Sequence, residues 1–158
     1  MKGLNHEFLL VNRDEYDYWD YMNLINHSDS VLIRDDLMDY LADSLKWIPC
    51  YNPGHGKKKG LLSHNGLNFC GPTIVKGDGV LVFHRVFTAW EVLFSHGPPT
   101  LELTGSFGWI MDKPAENGTY SAIVVDRDDT VKNLRRIAEL GDRVDKNSDH
   151  LYILHLGV

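Results

Sequence analysis

The chain has only two cysteines, Cys50 and Cys70, among its 158 residues. That is too few for a disulfide framework, and too few for a structural zinc site without histidine help, so a reducing cytoplasm is the expected setting. Long apolar stretches are missing too. The run Phe8 to Val11 is four residues long, and Arg13, Asp14 and Glu15 follow it closely, so no signal peptide is expected. No segment approaches the ~20 apolar residues of a membrane-spanning helix. Basic charge is also scarce, with 16 Lys and Arg against 22 Asp and Glu for a formal charge of −6. Phosphate backbones are bound by dense Lys and Arg that release counterions, so nucleic acid is not an expected partner, and anionic membrane surfaces are disfavoured for the same reason.

The shortage is sharpest at the start. Residues 1 to 45 hold ten of the acidic side chains and three of the basic ones, a net of −7, which leaves +1 for the remainder. Between Asp14 and Asp43 the only basic residue is Arg34. Ordinary solvated helices mix signs and gain i to i+4 pairs, and Asp is a mediocre helix former, so such one-sidedness asks for a reason beyond solubility. Tyr16, Tyr18, Trp19, Tyr21 and Tyr40 are interleaved with these carboxylates. Aromatic area beside concentrated charge is how proteins hold partners of opposite sign.

Periodicity predicts the following elements. Leu4 to Val11 reads as extended. Asp14 caps a helix over about 14–26 with Tyr18, Met22 and Ile25 inward and Asp14, Asp17 and Tyr21 on another face. Asp35 caps a second helix over about 35–47, where Leu37, Met38, Leu41 and Leu45 make an apolar stripe opposite Asp36, Asp39 and Asp43. Pro49 and Pro53 stop it, and Tyr51 to Gly60, with Lys57, Lys58 and Lys59, reads as a loop. One or two brief strands fit between Leu61 and Lys76. His84, Thr88, Glu91 and Ser95 recur at helical spacing and form the polar face of a helix over Val80 to Ser95, capped by Asp78, with Phe83, Phe87, Trp90 and Phe94 buried. Thr100 to Thr104, Phe107 to Met111 and Tyr120 to Val125 read as a three-stranded meander. Asp128 or Asp129 caps a helix to about Val144 with Val131, Leu134, Ile137 and Ala138 inward, and Leu151 to Leu156 is a last strand. The expected fold is a single α+β domain over 1–158, a mainly antiparallel sheet of about four to five strands covered by about four helices.

For chemistry, Asn68-Phe69-Cys70-Gly71-Pro72 resembles the nucleophile motif of papain-like peptidases that process bacteriocin leaders. That resemblance implies a Cys at a helix N-terminus, with its thiol pKa lowered, and a later His as base. The chain departs from it at two points: turn residues Lys76 to Gly79 follow too soon for the helix, and Asn117-Gly118-Thr119 stands where the His is expected. By chain order the alternative catalytic pair is Cys70 with His150. None of the eight histidines shows H-x-x-x-H spacing, and His150 and His155 fall on opposite faces of a strand, so no metal is expected. Gly54 to Gly60 lacks phosphate-loop spacing, and Asp126, Asp128 and Asp129 lack the Gly and Glu of a calcium loop. No cofactor is implied.

The favoured expectation is a non-enzymatic domain that neutralises a basic protein partner such as a toxin or nuclease. Asp14, Asp17, Trp19, Asp20, Tyr21, Asp36, Asp39, Tyr40 and Asp43 would supply the contact. In size and charge the chain is similar to bacterial immunity proteins that inhibit nuclease toxins. A small cysteine hydrolase is the alternative. A third reading is a ligand pocket lined by Phe83, Phe87, Trp90, Phe107 and Trp109.

Overall fold

The structure, a computed structural model, describes residues 4–12, 17–57, 60–146 and 151–158. The elements run β1 (Asn5–Asn12), α1 (Tyr18–Met22), β2 (Val31–Arg34), α2 (Asp35–Leu45), β3 (Pro49–Pro53), β4 (Leu61–Asn65), β5 (Gly71–Val75), α3 (Asp78–Ser95), β6 (Thr100–Gly108), a 3-10 turn (Ala115–Asn117), β7 (Thr119–Asp126), α4 (Arg127–Lys146) and β8 (Leu151–Gly157). The class is the expected α+β. Six strands make one antiparallel sheet in the order β2-β1-β8-β5-β3-β4, while β6 and β7 pair only with each other.

In β8 both strand faces are apolar, and a strand of that kind needs cover above and below. The last strand of the sequence accordingly sits near the middle of the sheet, with Leu154 between Leu9 of β1 and Ile74 of β5. Ile153 faces the larger core, formed with α2, α3 and α4 through Phe8, Leu37, Met38, Phe83, Phe87, Leu134 and Ile137. Tyr152, Leu154 and Leu156 face the other side, covered by Tyr21, Met22 and Leu24. The acidic helices α1 and α2 therefore lie on opposite faces of the sheet.

Several local expectations are corrected. α1 starts later than expected: Asp17 is its N-cap, accepting from the backbone N–H groups of Trp19 and Asp20 while the Asp20 carboxylate accepts from the Asp17 N–H. This reciprocal box satisfies orphan donors at one turn. The helix ends at Met22, and Asn26 takes a left-handed φ of 64°, where its N–H donates to the buried Glu7 carboxylate at 2.9 and 3.0 Å. Tyr21 rather than Tyr18 or Ile25 is the inward residue, and Ile25 is exposed. Asp14, the expected cap, lies outside the described residues.

α2 ends at Leu45 and its cap position is Arg34, whose guanidinium has no acceptor for a side-chain cap; Asp35 is the first helical residue, and its carboxylate accepts from His6. The segment Pro49–Pro53 is a strand rather than the start of a loop. Its prolines occupy the two ends, where a missing N–H costs the ladder least. The loop expected from Tyr51 therefore starts only after Pro53, and Leu61–Asn65 is a strand, β4.

β6 is one strand with a bulge between Thr104 and Phe107, so the expected meander is a two-stranded ribbon. Gly105 sits in that bulge, where a Cβ would collide with Ser121 Oγ. Gly77 rather than Asp78 precedes α3, and the Asp126 carboxylate, not Asp128 or Asp129, accepts from the Asp129 N–H at the start of α4. α3 and α4 pack closely at Gly141, where a Cβ would come within 2.9 Å of His84 Cβ. Two members of the polar stripe bond to α4: His84 Nδ1 lies 2.9 Å from the Ala138 carbonyl oxygen, and Arg135 Nε donates to Glu91 at 2.7 Å, while Ser95 is exposed as expected.

Candidate functional site

The expected acidic surface divides into two groups. On the α1 side, Asp17 and Asp20 are committed to capping, Trp19 is 66% exposed with its ring edge-on to Tyr18, and Tyr21 is 1% exposed. Burial removes Tyr21 from any docking surface. On the α2 side, Asp36 pairs with Arg34, Asp43 with Lys46 at 2.9 Å, and Asp39 is exposed. Tyr40 rests its ring against Trp90 and Phe94 while keeping 39% of its surface open.

The α2 group has company from the ribbon. Asp36, Asp39 and Tyr40 share a cleft of about 430 Å³ with Thr104, Ser106 and Ser121, and the floor includes Ile123. Beyond that cleft the ribbon stands in solvent: every residue from 106 to 122 is exposed save the half-buried Gly118. Phe107 packs against Trp109 and Tyr120 at 5.9 and 5.2 Å between centroids, and Trp109, Ile110, Met111 and Tyr120 are 54%, 62%, 92% and 66% exposed. β-alternation explains the root, where Leu101, Ile123 and Val125 are buried, but no layer of the described residues lies beneath the tip. The five aromatics read as a possible ligand pocket are therefore separated, Phe83 and Phe87 in the core and Phe107 and Trp109 at the tip.

A second constellation lies inside the sheet. His6 on β1 and His155 on β8 have no exposed surface, and His6 Nδ1 lies 2.8 Å from His155 Nε2. His6 Nε2 lies 2.9 Å from Asp35 Oδ1 at the start of α2. A carboxylate only accepts, so His6 Nε2–H donates outward, and with both rings neutral His6 Nδ1 accepts from His155 Nε2–H. His155 Nδ1 is then a buried lone pair with no partner among the described residues. Burial, and secondly the neighbouring His6, hold the His155 pKa well below the ordinary histidine value. Phe8 and Phe69 pack around the two rings. This chain of three side chains leads inward from Asp35, which is partly solvent-exposed, to an end without an opening. It can hold a proton, but it offers no place for a substrate. The visible signal in the sequence is a histidine inside each of two apolar strands; what joins them is a contact across 149 residues.

Cys70 is exposed, its Sγ donates to the Val158 carbonyl oxygen at 3.0 Å, and β5 rather than a helix follows it. His150 lies outside the described residues, as do Lys58 and Lys59. The Cys50 thiol donates to the Gly66 carbonyl at 2.8 Å, and burial pushes its pKa up to about 11, so it is a packing group rather than a nucleophile. Among the described residues no cluster of three His, Cys, Asp or Glu side chains could hold a metal ion, and no helix is long and apolar enough to cross a membrane.

No family model, curated protein or solved structure matches the chain.

Proposed function

We propose that this chain is a non-enzymatic protein-binding domain of the inhibitor or immunity type, and that it takes a basic partner between the α2 flank and the β6–β7 ribbon. The observation that carries this reading is the ribbon tip. Contiguous exposed Phe107, Trp109, Ile110, Met111 and Tyr120 form the kind of apolar patch that soluble domains seldom leave open without a use. Asp36 and Asp39 of α2 border the root of the same ribbon at Thr104, Ser106 and Ser121, with Asp43 one turn further along the helix, so the occupant must bring cations as well as apolar surface. Carboxylates would steer the encounter, and the ribbon aromatics would supply anchoring area. Relative to the expectation from sequence, Tyr21 drops out through burial, and Asp17, Trp19 and Asp20 lie across the sheet from this face. The hydrolase alternative is the weaker one, since a strand rather than a helix follows Cys70 and its thiol donates to the Val158 carbonyl.

The test is affinity capture of native extract at low and moderate salt. It compares wild type with Asp36→Lys/Asp39→Lys/Asp43→Lys and, separately, with Trp109→Ser/Met111→Ser. A basic protein held by wild type and lost from both variants supports the reading. Identical retention by all three proteins, or none by any, overturns it.

A further inference from the structure

Asparagine followed by glycine is the most easily lost amide of a protein chain, because a glycine nitrogen, unshielded by a neighbouring Cβ, can reach the asparagine side chain and displace its NH2 group. The dipeptide occurs twice here, at Asn65-Gly66 and Asn117-Gly118. Both asparagines are exposed, so access of water does not separate them. Ring closure needs more than access. The asparagine must turn about its Cα–C bond until the next nitrogen faces its own Cγ, and that nitrogen must give up the hydrogen bond it makes. The two sites differ in what opposes this.

At Asn65 the surroundings are fixed. The residue ends β4, with Pro49 of β3 as its register partner. Gly66 is buried, holds a φ of 93°, and donates its N–H to the Ile48 carbonyl at 2.9 Å. A Cβ on Gly66 would lie 3.1 Å from Lys46 Cα, so the backbone here is packed against the end of α2. Turning Asn65 would pull the end of the β3–β4 pair apart and lift the glycine out of that contact. At Asn117 a single 3-10 turn resists. Ala115–Asn117 has no side-chain cap and is closed by two bonds, Asn117 N–H to the Pro114 carbonyl and Gly118 N–H to the Ala115 carbonyl, each 2.9 Å. Every residue from Met111 to Asn117 is exposed, so water takes over both bonds when the turn opens. Short exposed turns without apolar cover open at the low end of the local stability scale. We propose that Asn117 is a site of spontaneous modification, deamidated through a cyclic imide, while the fold protects the identical dipeptide at Asn65.

The step balances with water as its one co-reactant. Gly118 N bonds to Asn117 Cγ, the Cγ–Nδ2 bond breaks, and the proton of Gly118 N leaves with the amide as ammonia. Water then opens the imide at either carbonyl. Attack at Cγ leaves an ordinary aspartate; attack at the main-chain carbonyl leaves an isoaspartate, with the chain running through Cβ and Cγ. Either product adds a carboxylate to a loop that holds Asp112 and Glu116 against Lys113. The isoaspartate also lengthens the chain by one methylene directly before Gly118, where the Phe107 ring packs so closely that a Cβ would collide with it. The modification therefore reaches the aromatic tip of the ribbon.

The test is peptide mapping by mass spectrometry of purified full-length protein held for weeks at neutral pH and physiological temperature. It scores at each Asn-Gly the mass gain of OH over NH2 and separates aspartate from isoaspartate by chromatography. In the folded protein Asn117 is expected to react at least about tenfold faster than Asn65, with isoaspartate among its products. Asn117→Gln should remove the signal there and leave Asn65 unchanged. In guanidinium chloride the two sites should react at similar rates, because only the fold distinguishes them. Equal rates in the folded protein, a faster Asn65, or an Asn117 that stays intact in the folded protein while the unfolded chain reacts would each overturn the proposal. So would a preference for Asn117 that persists in guanidinium chloride, which would assign it to neighbouring sequence. Partner retention plays no part in this readout, so the basic-partner reading stands or falls separately.

Discussion

β8 and the β6–β7 ribbon are both rich in apolar side chains, yet they meet opposite surroundings. β8 lies between β1 and β5 with layers on both faces, and Ile153, Leu154 and His155 have no exposed surface. The ribbon pairs only with itself and leaves residues 106 to 122 in solvent. Apolar content alone therefore does not separate a core strand from a surface strand; the number of covering layers does. In β8 a side chain contributes to stability, and even its one polar residue is built into an internal bond. At the ribbon tip the same kind of side chain touches little of its own molecule, which leaves it free for a partner.

The comparison breaks most visibly where the core is emptied. Phe87 has no exposed surface and meets Phe8 and Phe83 at 5.4 and 4.7 Å, so Phe87→Ala should lower stability by about 3–5 kcal/mol in urea denaturation. A loss below about 1 kcal/mol would mean that the cavity collapses and that the helix-side core is looser than its packing implies.

Next in size is a pH effect centred on β8. The folded state keeps His155 neutral, whereas the unfolded chain protonates it below the ordinary value of 6.5. The unfolded state then binds more protons, so stability falls as pH drops below 6.5, by at most about 1.4 kcal/mol per unit, and is flat in this respect above it. The ring is bonded to His6, which passes its own bond to Asp35, and its register partners are Phe8 on β1 and Thr73 on β5. Urea titrations at neutral and mildly acid pH should show a steeper decline for wild type than for His155→Leu; parallel declines would move the effect to other groups. A smaller change is expected from Asp35→Asn. The amide can still accept from His6 Nε2–H but gives up the charge assistance, a loss of about 1 kcal/mol in the same assay.

Legibility followed the same division. Stripes that face one continuous layer could be read directly: Leu37, Met38, Leu41 and Leu45 of α2, and Val131, Leu134, Ile137 and Ala138 of α4, are buried as their spacing indicates. The runs Tyr120 to Val125 and Leu151 to Leu156 likewise fall on β7 and β8. Misreadings arose where a neighbour distant in sequence overrides local pattern. His84 and Glu91 on the polar stripe of α3 look solvent-facing until they are seen to bond to α4. Pro49 and Pro53 stop α2 as expected, but the segment between them looks like the start of a loop until it is seen to pair as a strand. Asp35 looks like a helix cap until His6 occupies its carboxylate. The split of the acidic residues between two sheet faces follows from β1, β8 and β5 lying between α1 and α2, and nothing local encodes that.

The smallest expected effect discriminates best between the two β-structures. Trp109→Ser and Met111→Ser remove large apolar side chains, a type of change that is severe in a core. At the ribbon tip, where these groups are 54% and 92% exposed, each should alter stability by less than about 0.5 kcal/mol. Near-zero change in urea denaturation, together with loss of partner retention, is the signature of a side chain kept for recognition. A cost above about 1 kcal/mol would mean that the tip is bound to the body of its own molecule in solution. The ribbon would then be a piece of core like β8, and its aromatic side chains would need no partner to explain them.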